Sequence, residues 1–229
     1  MTLPALAACG SGQASTPSAA SHRTGTSVDD KALSKADLER AAITDADLDG
    51  YKVERALANP KASRRTADPA ACAPVVQSLG TSSGYAATAR LARMIFPKKQ
   101  GPGATMSLSS YSAEDAARVI DAIRAAAKGC KSFKDIQVDF GYEAVELQPD
   151  PGYGDESVSL RLTQLAADTE DEEPIKVPCA VVAVRQGTTV AMFYTFNNPS
   201  RPWGRGPAVV PDALVRAQLG KLDKLGTSK

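Results

Sequence analysis

The chain has 229 residues, of which 43% are hydrophobic and 5% are aromatic. This length suits a single domain, whose core must consist mainly of Ala, Val, Leu and Ile. The formal net charge is +1, from 27 basic and 26 acidic residues, so the strongly basic surface of nucleic-acid-binding proteins is absent and we expect no nucleic-acid partner. The apolar stretches are shorter than the roughly 20 residues of a transmembrane helix.

The segment Leu6–Gly10, which reads Leu-Ala-Ala-Cys-Gly, has the pattern of a bacterial lipobox. In this motif small residues allow a peptidase to cut before the cysteine, and the cysteine thiol receives a diacylglycerol. We therefore expect lipidation of Cys9 and anchoring to the outer side of the cytoplasmic membrane. Residues 1–8 hold no Lys or Arg and are too short for a whole signal peptide, so we interpret them as its residual end. The alternative is a free cysteine in a disordered leader.

Residues 9–30 are rich in Ser, Thr, Ala and Gly and contain almost no large apolar side chain. Such a segment buries too little surface to offset the entropy of ordering it, so the composition predicts a flexible tether. A single folded domain should then occupy residues 31–229.

The first half of this domain is predicted to mix short helices and strands. Ser34 has the character of an N-cap, because acidic residues follow it in the first helical turn. Alternation predicts a strand over Tyr51–Leu57, and a short helix is expected over Pro69–Leu79. Two further strands are predicted over Ala86–Phe96 and Ala104–Tyr111, joined by a polar loop.

The clearest helix in the sequence spans Ser112–Lys128. Ser112 and Asp115 stand three residues apart, as in a capping box, with Asp in the place where Glu is usual. Four apolar residues repeat at helical spacing and define one buried face: Ala116, Val119, Ile120 and Ile123. Gly129 is the expected stop.

The C-terminal half is predicted to be mainly β-structure. Strands are expected over residues 142–147, 157–165, 175–185 and 188–196, with Gln186-Gly187 as a tight hairpin turn. A final amphipathic helix is expected over residues 211–225. Together these elements predict an α+β fold: an antiparallel sheet with helices packed on one face, forming a two-layer sandwich.

Three cysteines remain in the domain, at Cys72, Cys130 and Cys179. An odd number in a secreted domain leaves one bridge and one unpaired thiol. We favour a Cys72–Cys130 bridge, with Cys179 as a small buried residue of a strand. Three scattered cysteines without a histidine in the domain match no metal-ligand spacing, so we expect no metal.

The order of these features resembles the PknH-like extracellular sensor domain of actinobacteria, over roughly Lys31–Leu225. The resemblance rests on the Asp68–Pro74 segment, on the strand–strand–helix succession after it and on the Gly129–Phe133 segment. The Asp155–Ser157 strand start, the Val184–Gly187 hairpin and the closing helix also fit.

This resemblance implies a fold outside the membrane that binds a ligand or a partner. It also implies a disulfide between Cys72, in a helix near the start, and Cys130, just after the long helix. The chain departs from the family at Cys179, because members typically carry a second disulfide and this cysteine has no partner for one.

No set of residues typical of an enzyme emerges from the sequence, and we expect neither catalysis nor a cofactor. The only histidine, His22, lies in the tether, and no Gly-x-Ser-x-Gly elbow occurs. The acidic run 168–173 lacks the spacing of a calcium loop and is interpreted as a solvated connection. Asp150 with Asp155 or Glu156 is the remaining candidate, as a carboxylate pair for glycoside hydrolysis.

The loop over residues 197–207 is the most distinctive segment of the C-terminal half. It holds the only tryptophan, Trp203, between Arg201 and Arg205 in a Pro- and Gly-rich context. Trp and Arg are enriched where binding energy concentrates, so these three residues are candidate binding residues. The alternative is a tryptophan packed over the end of the sheet between solvated arginines.

The sequence therefore predicts a non-catalytic lipoprotein with a ligand-binding or sensor-type domain. The ligand is expected to be a small molecule or an envelope component, and the membrane contact is the lipid anchor. The alternative function is a protein-interaction or envelope-structural module acting through the Trp203 loop. A deep apolar pocket on the sheet favours the first, and an exposed flat patch around Trp203 favours the second.

Overall fold

The structure is a computed structural model that describes residues 31–56, 65–80, 82–167 and 173–226. Cys9, its tether and most of the acidic run lie outside these ranges. The helices of the described part are α1 (Lys35–Ala41), α2 (Ala73–Ser78), α3 (Ala113–Gly129) and α4 (Asp212–Gly226). The strands are β1 (Tyr51–Arg55), β2 (Ala67–Asp68), β3 (Ala89–Pro97), β4 (Ala104–Ser110), β5 (Phe133–Asp135), β6 (Phe140–Leu147), β7 (Glu156–Ala166), β8 (Ile175–Gln186) and β9 (Thr189–Phe196).

All nine strands form one antiparallel sheet in the order β1-β3-β4-β9-β8-β7-β6-β5-β2. The predicted hairpin joins β8 to β9, with Gln186 opposite Thr189 and Gly187 at a φ of +56°. Glycine adopts this left-handed backbone without steric cost, which explains its place in the turn. The predicted α+β class with an antiparallel sheet is confirmed.

The helices cover both faces of the sheet, so the predicted packing on one face needs correction. α2 and α3 pack on one face, over a core that includes Val75, Val119 and Ile120. α1 and α4 pack on the other, over a core that includes Leu38 and Leu214. The molecule therefore has three layers. Its central strands are buried on both sides, and this is why residues 179–184 of β8 are all buried.

The predicted long helix is confirmed as α3, and its start follows the capping rule. The Ser112 hydroxyl accepts a hydrogen bond from the backbone N–H of Asp115, at 3.1 Å. The expected apolar residues Ala116, Val119, Ile120 and Ile123 are all buried against the sheet.

A disulfide fastens the C-terminal end of α3 to the start of α2. It joins Cys72 to Cys130, with 5.5 Å between the Cα atoms, and Cys179 is free and buried, so the favoured pairing is confirmed. Such bridges are typical of proteins outside the reducing cytoplasm. No helix in the described ranges is both long enough and apolar enough to span a bilayer.

Candidate functional site

A groove lies on the α2/α3 face of the sheet, next to the core that α3 covers. Along β7 and β8 that core extends to Leu162, Cys179 and Val177. Toward the ends of these strands the same face continues as Gln164, Ala166 and Ile175, which with Val177 line a cavity of about 420 Å³. This volume lies within the range of small-molecule sites in proteins.

The lining of this sheet groove separates into an apolar and a polar set. The apolar side chains are Phe140, Ala166, Ile175, Val177 and Phe196. The polar side chains are Arg65, Tyr142, Gln164, Tyr194, Asn198 and Ser200. The largest apolar members are unusually open, with Ile175 50% exposed, Phe196 43% and Phe140 36%. They form an apolar rim.

A buried ion pair lies at the floor of the groove. Nε of Arg65 is 3.0 Å from Oδ2 of Asp135, and the side chains are 13% and 0% exposed. The other carboxylate oxygen of Asp135 accepts the backbone N–H of Gln137 at 2.9 Å. Two short paired strands position the two charges, because Arg65 precedes β2 and Asp135 ends β5. The Arg65 charge is therefore balanced, and its small exposed surface faces the groove.

Two phenols stand beside this pair. The Tyr142 ring stacks on Phe133 with centroids 4.8 Å apart, and burial raises the pKa of Tyr142 to about 12, although the Arg65 cation acts to lower it. Burial likewise raises the pKa of Tyr194 well above its ordinary value. Both phenols stay neutral at physiological pH.

The free thiol of Cys179 lies under Tyr194. Its sulfur is 3.3 Å from the Tyr194 hydroxyl and 3.4 Å from the carbonyl oxygen of Val177. Burial raises the pKa of this thiol, which keeps it protonated and unreactive. The groove thus offers hydrogen-bond donors and apolar contact area, and its chemistry suits binding.

The Trp203 loop forms one end of the groove through Asn198 and Ser200. The Asn197 side-chain amide donates to the carbonyl oxygens of Gly206 and Pro207, at 3.2 and 3.0 Å, and so closes the loop. Of the candidate binding residues, Trp203 is half-buried, and Arg201 and Arg205 are exposed. These three do not line the groove.

The candidate carboxylates are occupied in holding a turn together. Asp150 accepts hydrogen bonds from the Ser157 hydroxyl and the Gly152 backbone, and these bonds lower its pKa. Asp155 accepts the backbone N–H of Gly187 at 2.7 Å and pairs with Arg185, which also pairs with Glu156. A general acid for glycoside hydrolysis needs a raised pKa, so the arrangement at Asp150 does not suit that chemistry. Within the described ranges no three His, Cys, Asp or Glu side chains come together as a metal site.

A second cavity, of about 330 Å³, lies between α2 and α3. Its polar groups already serve the fold, since the Ser83 hydroxyl lies 2.9 Å from that of Tyr111 and Ser78 donates to the Val75 carbonyl oxygen at 2.7 Å. Among the residues that the structure describes, no charged side chain lines it. The sheet groove is the better candidate because it combines open apolar side chains with a charged floor.

Sequence reasoning singled out the 197–207 loop, which contributes Asn198 and Ser200 to the groove, but it missed the aromatic lining residues and the Arg65–Asp135 pair, although part of the signal was present. Tyr142, Tyr194 and Phe196 alternate toward one face of predicted strands, which marks that face as apolar. The Arg65–Asp135 pair joins segments 70 residues apart through strands of two and three residues, and such strands are too short to show a pattern.

Comparison with known proteins shows a likeness in fold. No family model matches the chain, and no curated protein matches it. Among solved structures, the chain is similar to the extracellular domain of PknH from Mycobacterium tuberculosis, at 11% sequence identity and a TM-score of 0.54. The match covers 86% of this chain and 99% of that one. At this identity the likeness concerns the fold, and in that form the resemblance expected from the sequence is confirmed.

Proposed function

We propose that this chain is a lipoprotein acylated at Cys9. Its extracytoplasmic domain binds a small molecule or an envelope component in the sheet groove and does not convert it chemically. The observation that carries the proposal is the groove itself, in which an open apolar rim stands above a buried ion pair. Concave apolar surfaces with a few convergent polar groups are the usual form of ligand sites. Exposed apolar side chains gathered in one place also favour a binding role.

Three further observations support the location and the family. The lipobox pattern precedes a tether-like composition, the Cys72–Cys130 disulfide suits an oxidising compartment, and the fold is like that of the extracellular domain of PknH. Membership of the PknH-like sensor domains is part of this proposal.

The anchor is tested by expressing the chain in a bacterium with a whole signal peptide completed ahead of residues 1–8, because those residues alone are too short to direct export, and by measuring the mass of the N-terminal peptide. We expect a diacylglyceryl group on Cys9 and loss of residues 1–8. The Cys9→Ser variant should lack both changes and leave the membrane fraction. An unmodified Cys9 would contradict the lipoprotein assignment, but it would not contradict ligand binding in the groove.

Binding is tested with N-phenyl-1-naphthylamine, a neutral dye whose fluorescence rises in apolar sites. We expect saturable binding that Ile175→Glu weakens at least tenfold, because the substitution places a charge on the rim. Val209→Glu is the matched control, since Val209 is 57% exposed and lies outside the groove. Absence of dye binding, or equal binding by the two variants, would overturn the groove as a ligand site.

The alternative function is a protein-interaction or envelope-structural module acting through the Trp203 loop. It is favoured by the exposure of Arg201 and Arg205, which stand two residues either side of the half-buried Trp203 in the chain. In this case Arg201→Glu with Arg205→Glu should abolish a complex detected by cross-linking in intact cells. Dye binding in the groove should be unchanged.

A further inference from the structure

We infer that the sheet groove binds an uncharged acyl chain through its ester or amide carbonyl, an inference that rests on the proposed function. The occupant is thus an amphiphile with a neutral, oxygen-bearing head and a hydrocarbon body. Two features of the groove lead to this class: the apolar rim and the balanced charge of the floor.

The apolar rim favours a ligand with a hydrocarbon chain. Ile175, Phe196 and Phe140 come from three different strands and leave a large part of their surface open at one groove. The Tyr194 and Phe196 rings lie with centroids 6.1 Å apart and extend this surface toward the Trp203 loop. A hydrocarbon chain laid across these side chains removes apolar area from water on both partners.

The ion pair at the floor favours a ligand that accepts a hydrogen bond and carries no net charge. A guanidinium has five N–H donors, and here Nε faces Asp135 while the rest of the group lies beside Tyr142 and the groove. Asp135 has no exposed surface and already neutralises this cation. A carbonyl oxygen takes a donor from Arg65 without disturbing that balance, whereas an anion adds an uncompensated charge to a largely buried place.

The same balance disfavours a cationic head. Because Asp135 already compensates Arg65, a further positive charge at the floor would stand uncompensated in a largely buried place, and the guanidinium offers it only hydrogen-bond donors. A neutral, oxygen-bearing head avoids this penalty.

The test is displacement of N-phenyl-1-naphthylamine from the whole chain by three eight-carbon probes: methyl octanoate, octanoate and octyltrimethylammonium. We expect methyl octanoate to bind at least tenfold more tightly than either ion. The double variant Arg65→Met/Asp135→Asn removes both charges at nearly constant volume and avoids leaving one of them buried alone. It should still bind the dye and should lose most of the tenfold preference for the ester over the ions.

The outcomes separate this inference from the proposed function. The neutral acyl class is overturned if either ion binds as tightly as methyl octanoate or more tightly. It is also overturned if the double variant keeps the full preference for the ester. Neither result contradicts ligand binding in the groove. If the double variant loses dye binding, its thermal unfolding shows whether it is still folded. A folded variant that does not bind the dye would mean that the dye contacts the charged residues, and this result would overturn the hydrocarbon role of the rim. Dye binding that Ile175→Glu does not weaken overturns the proposed function and this inference together.

Discussion

Asp47 shows how one carboxylate joins separate parts of the chain. It accepts hydrogen bonds from the backbone N–H and the hydroxyl of Thr44, at 2.8 and 2.7 Å, and from Lys221 of α4 at 2.9 Å. Burial raises the pKa of Asp47, but these hydrogen bonds outweigh burial, so the pKa lies below its ordinary value. The ionised form therefore stabilises the folded state relative to the unfolded state.

The consequence is a pH-dependent effect of the Asp47→Asn substitution. A carboxylate whose pKa is lower in the folded state stabilises the fold above its unfolded pKa, and the contribution is lost as the pH falls through the folded pKa. We expect Asp47→Asn to reduce the free energy of unfolding by about 1–2 kcal/mol at pH 7 and by progressively less below about pH 4. Urea unfolding at pH 7, 5 and 3 measures this. Asn at the exposed neighbour Asp49 is the control, and an equal, pH-independent cost at both sites would contradict the assignment.

Gly204 makes the folded-back shape of the Trp203 loop possible. A Cβ atom at this position would stand 1.6 Å from the carbonyl oxygen of Asn198, so any side chain forces backbone to move. We expect Gly204→Ala to lower the free energy of unfolding by about 2–4 kcal/mol. Because Asn198 lines the sheet groove, dye affinity should fall as well.

Gly220 provides the matched control for Gly204, since a Cβ atom there would meet nothing within 4 Å in the middle of α4. Alanine at Gly220 should stabilise the helix by up to about 1 kcal/mol and leave dye binding unchanged. Thermal unfolding and dye titration of both variants test the pair. Normal stability of Gly204→Ala would mean that the loop has another conformation.

At the level of elements, the Cys72–Cys130 disulfide links the start of α2 covalently to the end of α3, in addition to the packing of these helices in the core. Cys72 and Cys130 are 58 positions apart, and in the chain-entropy model a closed loop of this length stabilises the fold by about 4 kcal/mol. We expect the Cys72→Ala/Cys130→Ala variant to unfold at lower urea concentration by this amount. Reductant should weaken the wild type similarly and have no effect on the variant. A wild type insensitive to reductant would contradict the bridge.

The elements whose residues carry a local signal were predictable. α3 was expected over Ser112–Lys128 and spans Ala113–Gly129, because its cap, its apolar spacing and its glycine stop all agree. The β8–β9 hairpin was found through Gln186-Gly187 for the same reason. β2 and β5 were missed because two or three residues show no alternation, although their pairing brings Arg65 to Asp135.

On the scale of the whole molecule, the number of layers was predicted wrongly although the sequence contained the signal. Val177–Val184 is an apolar run rather than an alternating strand, and such a run is typical of a strand covered on both faces. The expectation of helices on one face is wrong because the sequence does not say to which side of the sheet each helix returns. That choice depends on contacts between distant segments, such as the hydrogen bond from the Gln218 side chain in α4 to the Ala41 carbonyl oxygen in α1, at 2.8 Å.

A sheet buried on both faces should make the domain unfold as one unit. Val181 and Val182 are adjacent on β8 but lie in different cores, Val181 with α3 and Val182 with α4. In three layers, Val181→Ala and Val182→Ala should each lower the free energy of unfolding by about 1–2 kcal/mol, whereas in two layers only one of them would. Because both cores share β8 and β9, the fluorescence of Trp203 and the far-ultraviolet circular dichroism should shift together in urea. If the two transitions separate in either variant, the α1/α4 layer unfolds independently, and the sheet does not couple the two cores.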